Sequence, residues 1–424
     1  MSKRPARRRL PAGLIALRER NFVLYTVGQF TSQLGSWIEL TAVSWVIYEM
    51  TDSPLLLGLV GLFRATPTIL LALFGGAIAD RVPRRLLLMC TESTMLIVSL
   101  VMGILAFTGH LEYWHLYALN LVSGTLQAFS VPSRHALFAG LVPREAMSSA
   151  VTLNSVAVRG GGFIGPSIAG LALVLGGYSL PFFLNAASFV AMLTALWMMR
   201  LPKAQANATD KHPPLRQGIT EGVKFVWRTP VLRVALLLEL ATGLFGHNAA
   251  LITILVRDVL NAGPESLGLL MSATGAGALI GMTLLLTFPV KQHGRLILTL
   301  GVLYAGLWAG VGVSHLIWLS TLLLLALGTV DSMWGVTRNT LAQLLTTNAL
   351  RGRVMSVVML VTRGASQLGR VQSGFTVGLI GAQPAVLLGA AVVGAAILAS
   401  WRVPMPEYIG RPVPPQTEEL PEQH

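Results

Sequence analysis

The chain has 424 residues, of which 53% are hydrophobic and 12% charged, and it contains 43 glycines. So little charge cannot cover a water-soluble core of that length, while apolar stretches of about 20 residues recur along nearly the whole chain, the mark of a polytopic membrane protein. The net charge of +13 does not indicate nucleic acid, because Lys and Arg collect in the tails and alternate turns. The single cysteine, Cys90, excludes a disulfide framework and a cysteine-based metal site.

Residues 1–21 carry Lys3, Arg4, Arg7, Arg8 and Arg9 with no short cleavable apolar region behind them, so they read as a basic cytoplasmic tail. Six spans follow, near 22–48, 54–79, 86–108, 113–139, 147–175 and 178–200. Together they form an N-terminal bundle over 22–201. Residues 202–228 carry Lys203, Lys211, Pro213, Pro214, Arg216, Lys224 and Arg228 and read as a polar cytoplasmic linker. Six further spans, near 230–254, 264–288, 294–313, 315–340, 351–379 and 382–402, form a C-terminal bundle over 229–402. The Pro- and Glu-rich stretch 403–424 reads as a second cytoplasmic tail. The expected fold is all-α, with twelve transmembrane helices in two pseudo-symmetric six-helix bundles and both termini in the cytoplasm. Arg257 is the one basic residue this topology places outside.

The halves align with each other. A shift of 204 residues brings Gly124-Thr125 onto Gly328-Thr329, Arg134 onto Arg338, Arg159 onto Arg363, Gly165 onto Gly369 and Gly170 onto Gly374. Parallel repeats of this kind are known from transporters whose substrate site lies between the halves.

Between the second and third spans runs Gly76-Ala-Ile-Ala-Asp80-Arg81-Val-Pro83-Arg84-Arg85, too charged for lipid and therefore a short cytoplasmic turn. It resembles the signature loop of the major facilitator superfamily, Gly-x-Leu-Ala-Asp-Arg-x-Gly-Arg-Lys, with Pro83 in the place of the usual Gly. The resemblance covers residues 20–402. The runs Ser53-Pro-Leu-Leu-Leu-Gly58 and Val131-Pro-Ser-Arg134 resemble the branch that holds enterobactin exporters and macrolide efflux proteins. Gly161-Gly-Phe-Ile-Gly165-Pro166-Ser-Ile-Ala-Gly170 resembles the fifth-helix motif of the superfamily's exporters, which implies proton-driven antiport; the same glycines also fit a plain packing stripe. Its counterpart in the second half has Arg370 where the first has Pro166. By the same resemblance, the signature loop latches one conformation, with Asp80 a partner for Arg134.

Ionisable groups at membrane depth are costly and mark function. Glu39, Asp331, His247 and Glu239 are the candidate proton carriers. Glu39 reaches the level of Arg64, so an ion pair between the first two spans is expected, and Asp331 is expected to pair with Arg363. With Arg159 and Arg370 these arginines make a cavity positive, which favours an anionic or catecholate substrate; neutral lipophilic drugs remain open. Trp37, Phe63, Gln127, Phe129, Met333 and Trp334 are the other candidate cavity-lining residues. Each buried pair also fits a purely structural role.

The expected function is a proton-coupled exporter of a small organic molecule, a siderophore or an amphipathic drug, in a bacterial inner membrane. It would work by alternating access as a single chain, with no cofactor, metal or nucleic acid. A non-transporting receptor or sensor on the same fold, or a facilitator-type importer, is the alternative. No phosphate-binding loop and no nucleophile or metal constellation points to an enzyme.

Overall fold

A computed structural model describes residues 12–200, 215–288, 293–347 and 350–403; side chains at 12–14, 72–77, 79–81, 139, 215–219 and 293 lie outside the description. The side chains of Gly76, Asp80 and Arg81, residues 201–214 of the linker and most of both tails therefore fall outside it. Among the described residues the ordered elements are all helical.

The first bundle comprises α1 (Arg20–Thr51), α2 (Pro54–Arg81), α3 (Arg84–Phe107), α4 (Tyr113–Ala139), α5 (Met147–Gly176) and α6 (Ser179–Met198). A linker helix α7 (Leu215–Arg228) leads to α8 (Pro230–Phe245), α9 (Ala249–Ile254), α10 (Pro264–Thr287), α11 (His293–Val313), α12 (Ile317–Leu344), α13 (Arg351–Ile380) and α14 (Ala382–Ser400). Among the described residues, nine of the spans are long and apolar enough to cross a bilayer by length and composition alone. The segments that miss that standard are α1, α4 and α13, which carry Glu39, Gln127 and the pair Arg363 and Arg370. Helices that line a polar interior between bundles are expected to be the least apolar ones.

One expectation needs correction. The seventh span is not one helix: α8 stops at Phe245, Gly246 leaves the helical path, and Asn248 caps α9 by accepting the Leu251 N–H at 3.0 Å. A π-helical turn, Leu255–Val259, then closes the span. Asn248 prefers the cap to a helix interior because its side-chain oxygen satisfies a free N–H. The polar linker contains a helix from Leu215, which its reading as a linker did not specify. There Gly222 and Val226 face α13, Arg353 is ion-paired with Glu221, and Trp227 is exposed, the pattern of an amphipathic helix lying along an interface.

Within the first bundle, α1 packs on α5 and α6, α2 on α4, and α3 on α6; the second repeats this with α8, α10, α11, α12, α13 and α14. The bundles meet along two seams, α5 with α10 and α2 with α13. A Cβ on Gly275 would lie 2.5 Å from the Gly162 carbonyl oxygen, one on Gly268 2.5 Å from that of Pro166, and one on Gly170 2.5 Å from that of Pro264. On the other seam, a Cβ on Gly58 would lie 2.5 Å from the Arg370 carbonyl oxygen. Only glycine permits such backbone-on-backbone contact.

These contacts occupy one half of the membrane thickness. Pro54, Pro264, Gly176 and Ile380 all lie at the end of the bundles away from the chain termini, here the distal end. The glycine contacts between α5 and α10 run from Gly170 to Gly162, a rise of about 12 Å at 1.5 Å per residue, and the deepest glycine contact between α2 and α13 is that of Gly61 with Gln367 and Arg370. The molecule is closed at the distal end.

A charged layer between the bundles

Counting rise from the distal ends, Glu39, Arg64, His247, Asp331 and Arg370 all fall about 15–21 Å down their helices, near mid-bilayer. Glu39 is 7% exposed and held inside the first bundle: the Asn185 amide donates to its Oε2, and so does Ser99 Oγ at 3.2 Å. Arg64 makes its bonds to Gln127 on α4, whose amide oxygen, turned to face the guanidinium, accepts from Nη2 at 2.7 Å and Nε at 3.0 Å. The expected Glu39–Arg64 ion pair is therefore not formed. The two groups stay within charge–charge range, each with its own neutral partner.

Arg159 and Arg363 are exposed, one to two turns closer to the terminal end. Arg159 shares a face of α5 with Gly162 and Pro166, and Arg363 shares a face of α13 with Gln367 and Arg370, since residues three, four and seven apart stack on one side. Both faces belong to the seams, so these arginines face the space that opens where the bundles part. Asp331 is also exposed, within charge–charge range of His247 and Tyr304. No ion pair joins Asp331 to Arg363 among the described residues, contrary to expectation.

His247 sits in the break between α8 and α9. Its backbone N–H donates to Tyr304 Oη at 3.0 Å, and its Nδ1 lies 2.9 Å from the same oxygen. Asn248 Nδ2 donates to Ser373 on α13 at 2.8 Å. A broken helix at mid-bilayer carries free backbone groups, tolerated only where protein or a cavity satisfies them.

Other predicted residues lie elsewhere. Trp334 is 2% exposed, edge-on to Tyr304; it belongs to the core of the second bundle and does not line the space between bundles. Met333 packs beside it and meets the Gly281 position of α10. Phe63 stacks on Tyr117 with centroids 4.7 Å apart, joining α2 to α4. Phe129 is half-buried, and Trp37 fills the groove left by Gly162 and Gly165. The glycine motif of α5 thus packs against α1 on one side and α10 on the other.

Glu239 is ion-paired with Arg338. Arg134 is ion-paired with Glu92 on α3 and donates to Gln29 on α1 at 3.2 Å, so its described partners do not include Asp80. In the signature loop, Arg84 donates to the Ala136 carbonyl at 3.1 Å, and Arg85 to those of Trp197 at 2.8 Å and Met199 at 3.3 Å. These are C-terminal carbonyls of α4 and α6, which attract cations.

At the distal rim, Arg257 donates to the Tyr48 carbonyl at 2.7 Å, pairs with Asp52 at 3.0 Å and lies 5.0 Å from the Tyr48 ring centroid. Tyr48 Oη donates to Asp258 at 2.5 Å. The end of α1 is thereby tied to the end of the seventh span.

Sequence reasoning missed Glu92, Asn185 and Asp258. Each is a polar residue inside or beside an apolar stretch, and depth matching of the kind applied to Glu39 would have brought Glu92 level with Arg134.

This architecture is shared with known proteins. The multidrug efflux pump Tap of Mycolicibacterium fortuitum is 26% identical over 83% of this chain and 88% of its own length. A staphyloferrin A transporter of Staphylococcus aureus (strain NCTC 8325 / PS 47) is 27% identical over 79% of this chain and 84% of its own. The crystal structure of a D-xylose-proton symporter superposes with a TM-score of 0.69 at 13% identity, covering 90% of this chain and 98% of that one. Residues 12–423 match the transmembrane secretion effector family, and the chain belongs to that family of major facilitator superfamily transporters.

Proposed function

We propose that this transporter exports a small organic molecule from the cytoplasm of a bacterium in exchange for protons, by alternating access. The observation that carries the reading is the one-sided seam: the glycine contacts that bring the bundles backbone to backbone lie in the distal half, and Arg159 and Arg363, one to two turns beyond the charged mid-bilayer layer, are exposed. Lys and Arg at the terminal end favour a cytoplasmic location for that end, so this conformation would receive its substrate from the cytoplasm. Relatives described as an efflux pump and a siderophore-type transporter support export of a siderophore or an amphipathic drug.

In this reading Asp331 carries the proton, with His247 within charge–charge range as a second titratable group, because Asp331 is exposed at mid-bilayer depth. Glu39, enclosed by Asn185 and Ser99, balances the charge of Arg64. The chain acts as a monomer in the inner membrane, each bundle supplying one wall of the path.

The test is accumulation of catecholate siderophores, macrolides and cationic dyes in energised everted vesicles, with and without an uncoupler. Uncoupler-sensitive accumulation of one class is expected. Accumulation only in right-side-out vesicles would indicate an importer, and binding without movement in either orientation would indicate a receptor.

A further inference from the structure

Arg370 stands on α13 where the pseudo-equivalent position of α5 holds Pro166. An arginine halfway along a membrane helix is costly and is kept for a partner or a task. Its stem crosses the seam between bundles: the Cδ lies 2.9 Å from where a Cβ on Gly61 would sit, so glycine makes the room. Arg64 follows three residues after Gly61 on the same face of α2, and the two guanidinium groups lie within charge–charge range.

Neither has a carboxylate in contact among the described residues. Arg64 is bonded to neutral Gln127, and Glu39, the nearby carboxylate, is occupied by Asn185 and Ser99. Arg370 Nε is buried with no hydrogen-bond partner, and so is Oε1 of Gln367, one turn away on α13 and also against Gly61. Two guanidinium groups and one carboxylate leave one positive charge uncompensated in a low-dielectric setting, where an unpaired charge and an unmade hydrogen bond are both unfavourable. A monoanion placed between the arginines neutralises the cluster, and a hydroxyl beside that anion satisfies Gln367.

We propose that Arg64 and Arg370 form a clamp, one arm from each bundle, for an anionic group that carries an adjacent hydroxyl, a hydroxycarboxylate or a singly ionised catechol, on the transported molecule. This rests on the transport reading above and names its substrate chemistry. Because the arms belong to different bundles, the clamp exists only while the distal seam is closed. Opening that seam separates the arginines and lowers affinity, so the anion is gripped from the terminal side and released at the distal side.

The test is equilibrium binding by calorimetry to the full chain in lipid nanodiscs, with no gradient, using three related probes. Mandelate carries the anion and the hydroxyl, phenylacetate only the anion, and mandelamide neither charge nor acid. The expected order is mandelate, then phenylacetate, then mandelamide. Arg370→Gln is expected to weaken mandelate at least tenfold, Arg370→Lys less, and Arg351→Gln, at the exposed terminal end of α13, less than threefold. Gln367→Leu is expected to erase the preference for mandelate over phenylacetate while leaving both bound. Mandelamide binding as well as mandelate, no binding of any probe, or full affinity in folded Arg370→Gln overturns the clamp. Should Arg370→Gln not fold, the Lys and Leu variants decide the matter. Since no proton gradient is involved, a failure of proton-driven export leaves this result readable, and the reverse also holds.

Discussion

Arg338 on α12 is ion-paired with Glu239 on α8, and its pseudo-symmetric equivalent, Arg134 on α4, is ion-paired with Glu92 on α3. Each bundle therefore has an arginine bracket on its fourth span, closer to the terminal end than the charged layer. Arg338 is 7% and Glu239 15% exposed, so the carboxylate is committed to a cation that has no way to reach water. Glu239→Gln should lower stability by about 3–5 kcal/mol, the usual effect of stranding a buried charge. Glu239→Leu combined with Arg338→Met should recover most of it. Thermal unfolding in detergent checks both; an unchanged midpoint in Glu239→Gln would return Glu239 to the list of proton carriers.

The distal tie between Arg257 and α1 is more exposed. Asp52 is 79% and Arg257 31% exposed in their side chains, so the ion pair itself contributes at most about 1 kcal/mol. A loss of about 1 kcal/mol changes a two-state ratio roughly fivefold. Arg257→Ala also removes the hydrogen bond to the Tyr48 carbonyl and the contact with its ring, so it should raise the population open at the distal end by at least about that factor. Spin labels at Met50→Cys and Asn261→Cys, which leave the Asp52 carboxylate in place, in a Cys90→Ser background would register it as a longer distance component, and an identical distribution would show that the glycine seams alone hold the closure.

Those seams should be far less forgiving. Gly268→Ala places a Cβ 2.5 Å from a backbone oxygen that cannot swing aside, whereas Gly364 has nothing within 4 Å of its Cβ position. Gly268→Ala should destabilise the distally closed state by about 1–3 kcal/mol and slow transport, while Gly364→Ala leaves it intact. The same label pair reads the shift directly, and equal behaviour of the two variants would remove the seam from the mechanism.

Hydropathy made the spans legible because bilayer thickness sets their length, and the repeat made the two bundles legible. The break at Gly246–Asn248 was less visible, since Gly243, Gly246 and Asn248 sit among residues apolar enough to continue a helix; only the cap signature of Asn248 distinguishes them. The helix after Pro213-Pro214 was hidden by its charge, although prolines ahead of an apolar stripe of period 3.6 are a start signal. The partners of the charges were the least legible part. Rise per residue places Glu39 and Arg64 level, yet neighbours on α3, α4 and α6 decide which of them touch, and rotation about each helix axis depends on packing that a linear pattern does not specify.

The choice of proton carrier follows from that difference between level and contact. A carboxylate that carries protons has to meet water in at least one conformation and lose its stabilising partners in another. Asp331 is exposed, and its side chain has no hydrogen bond among the described residues. Glu39 accepts two hydrogen bonds inside its own bundle, which need not break when bundles rock as rigid bodies. Asp331→Asn should therefore abolish uncoupler-sensitive accumulation while leaving substrate exchange across the membrane intact, because exchange needs the moving path and no proton. Glu39→Gln should keep uncoupler-sensitive accumulation and tighten anion binding, since it removes the carboxylate that competes for Arg64. Everted vesicles loaded with the substrate found in the panel test both variants side by side. Loss of coupling in Glu39→Gln with retention in Asp331→Asn would move the proton to α1, where opening of the Asn185 and Ser99 bonds would then have to be part of the cycle.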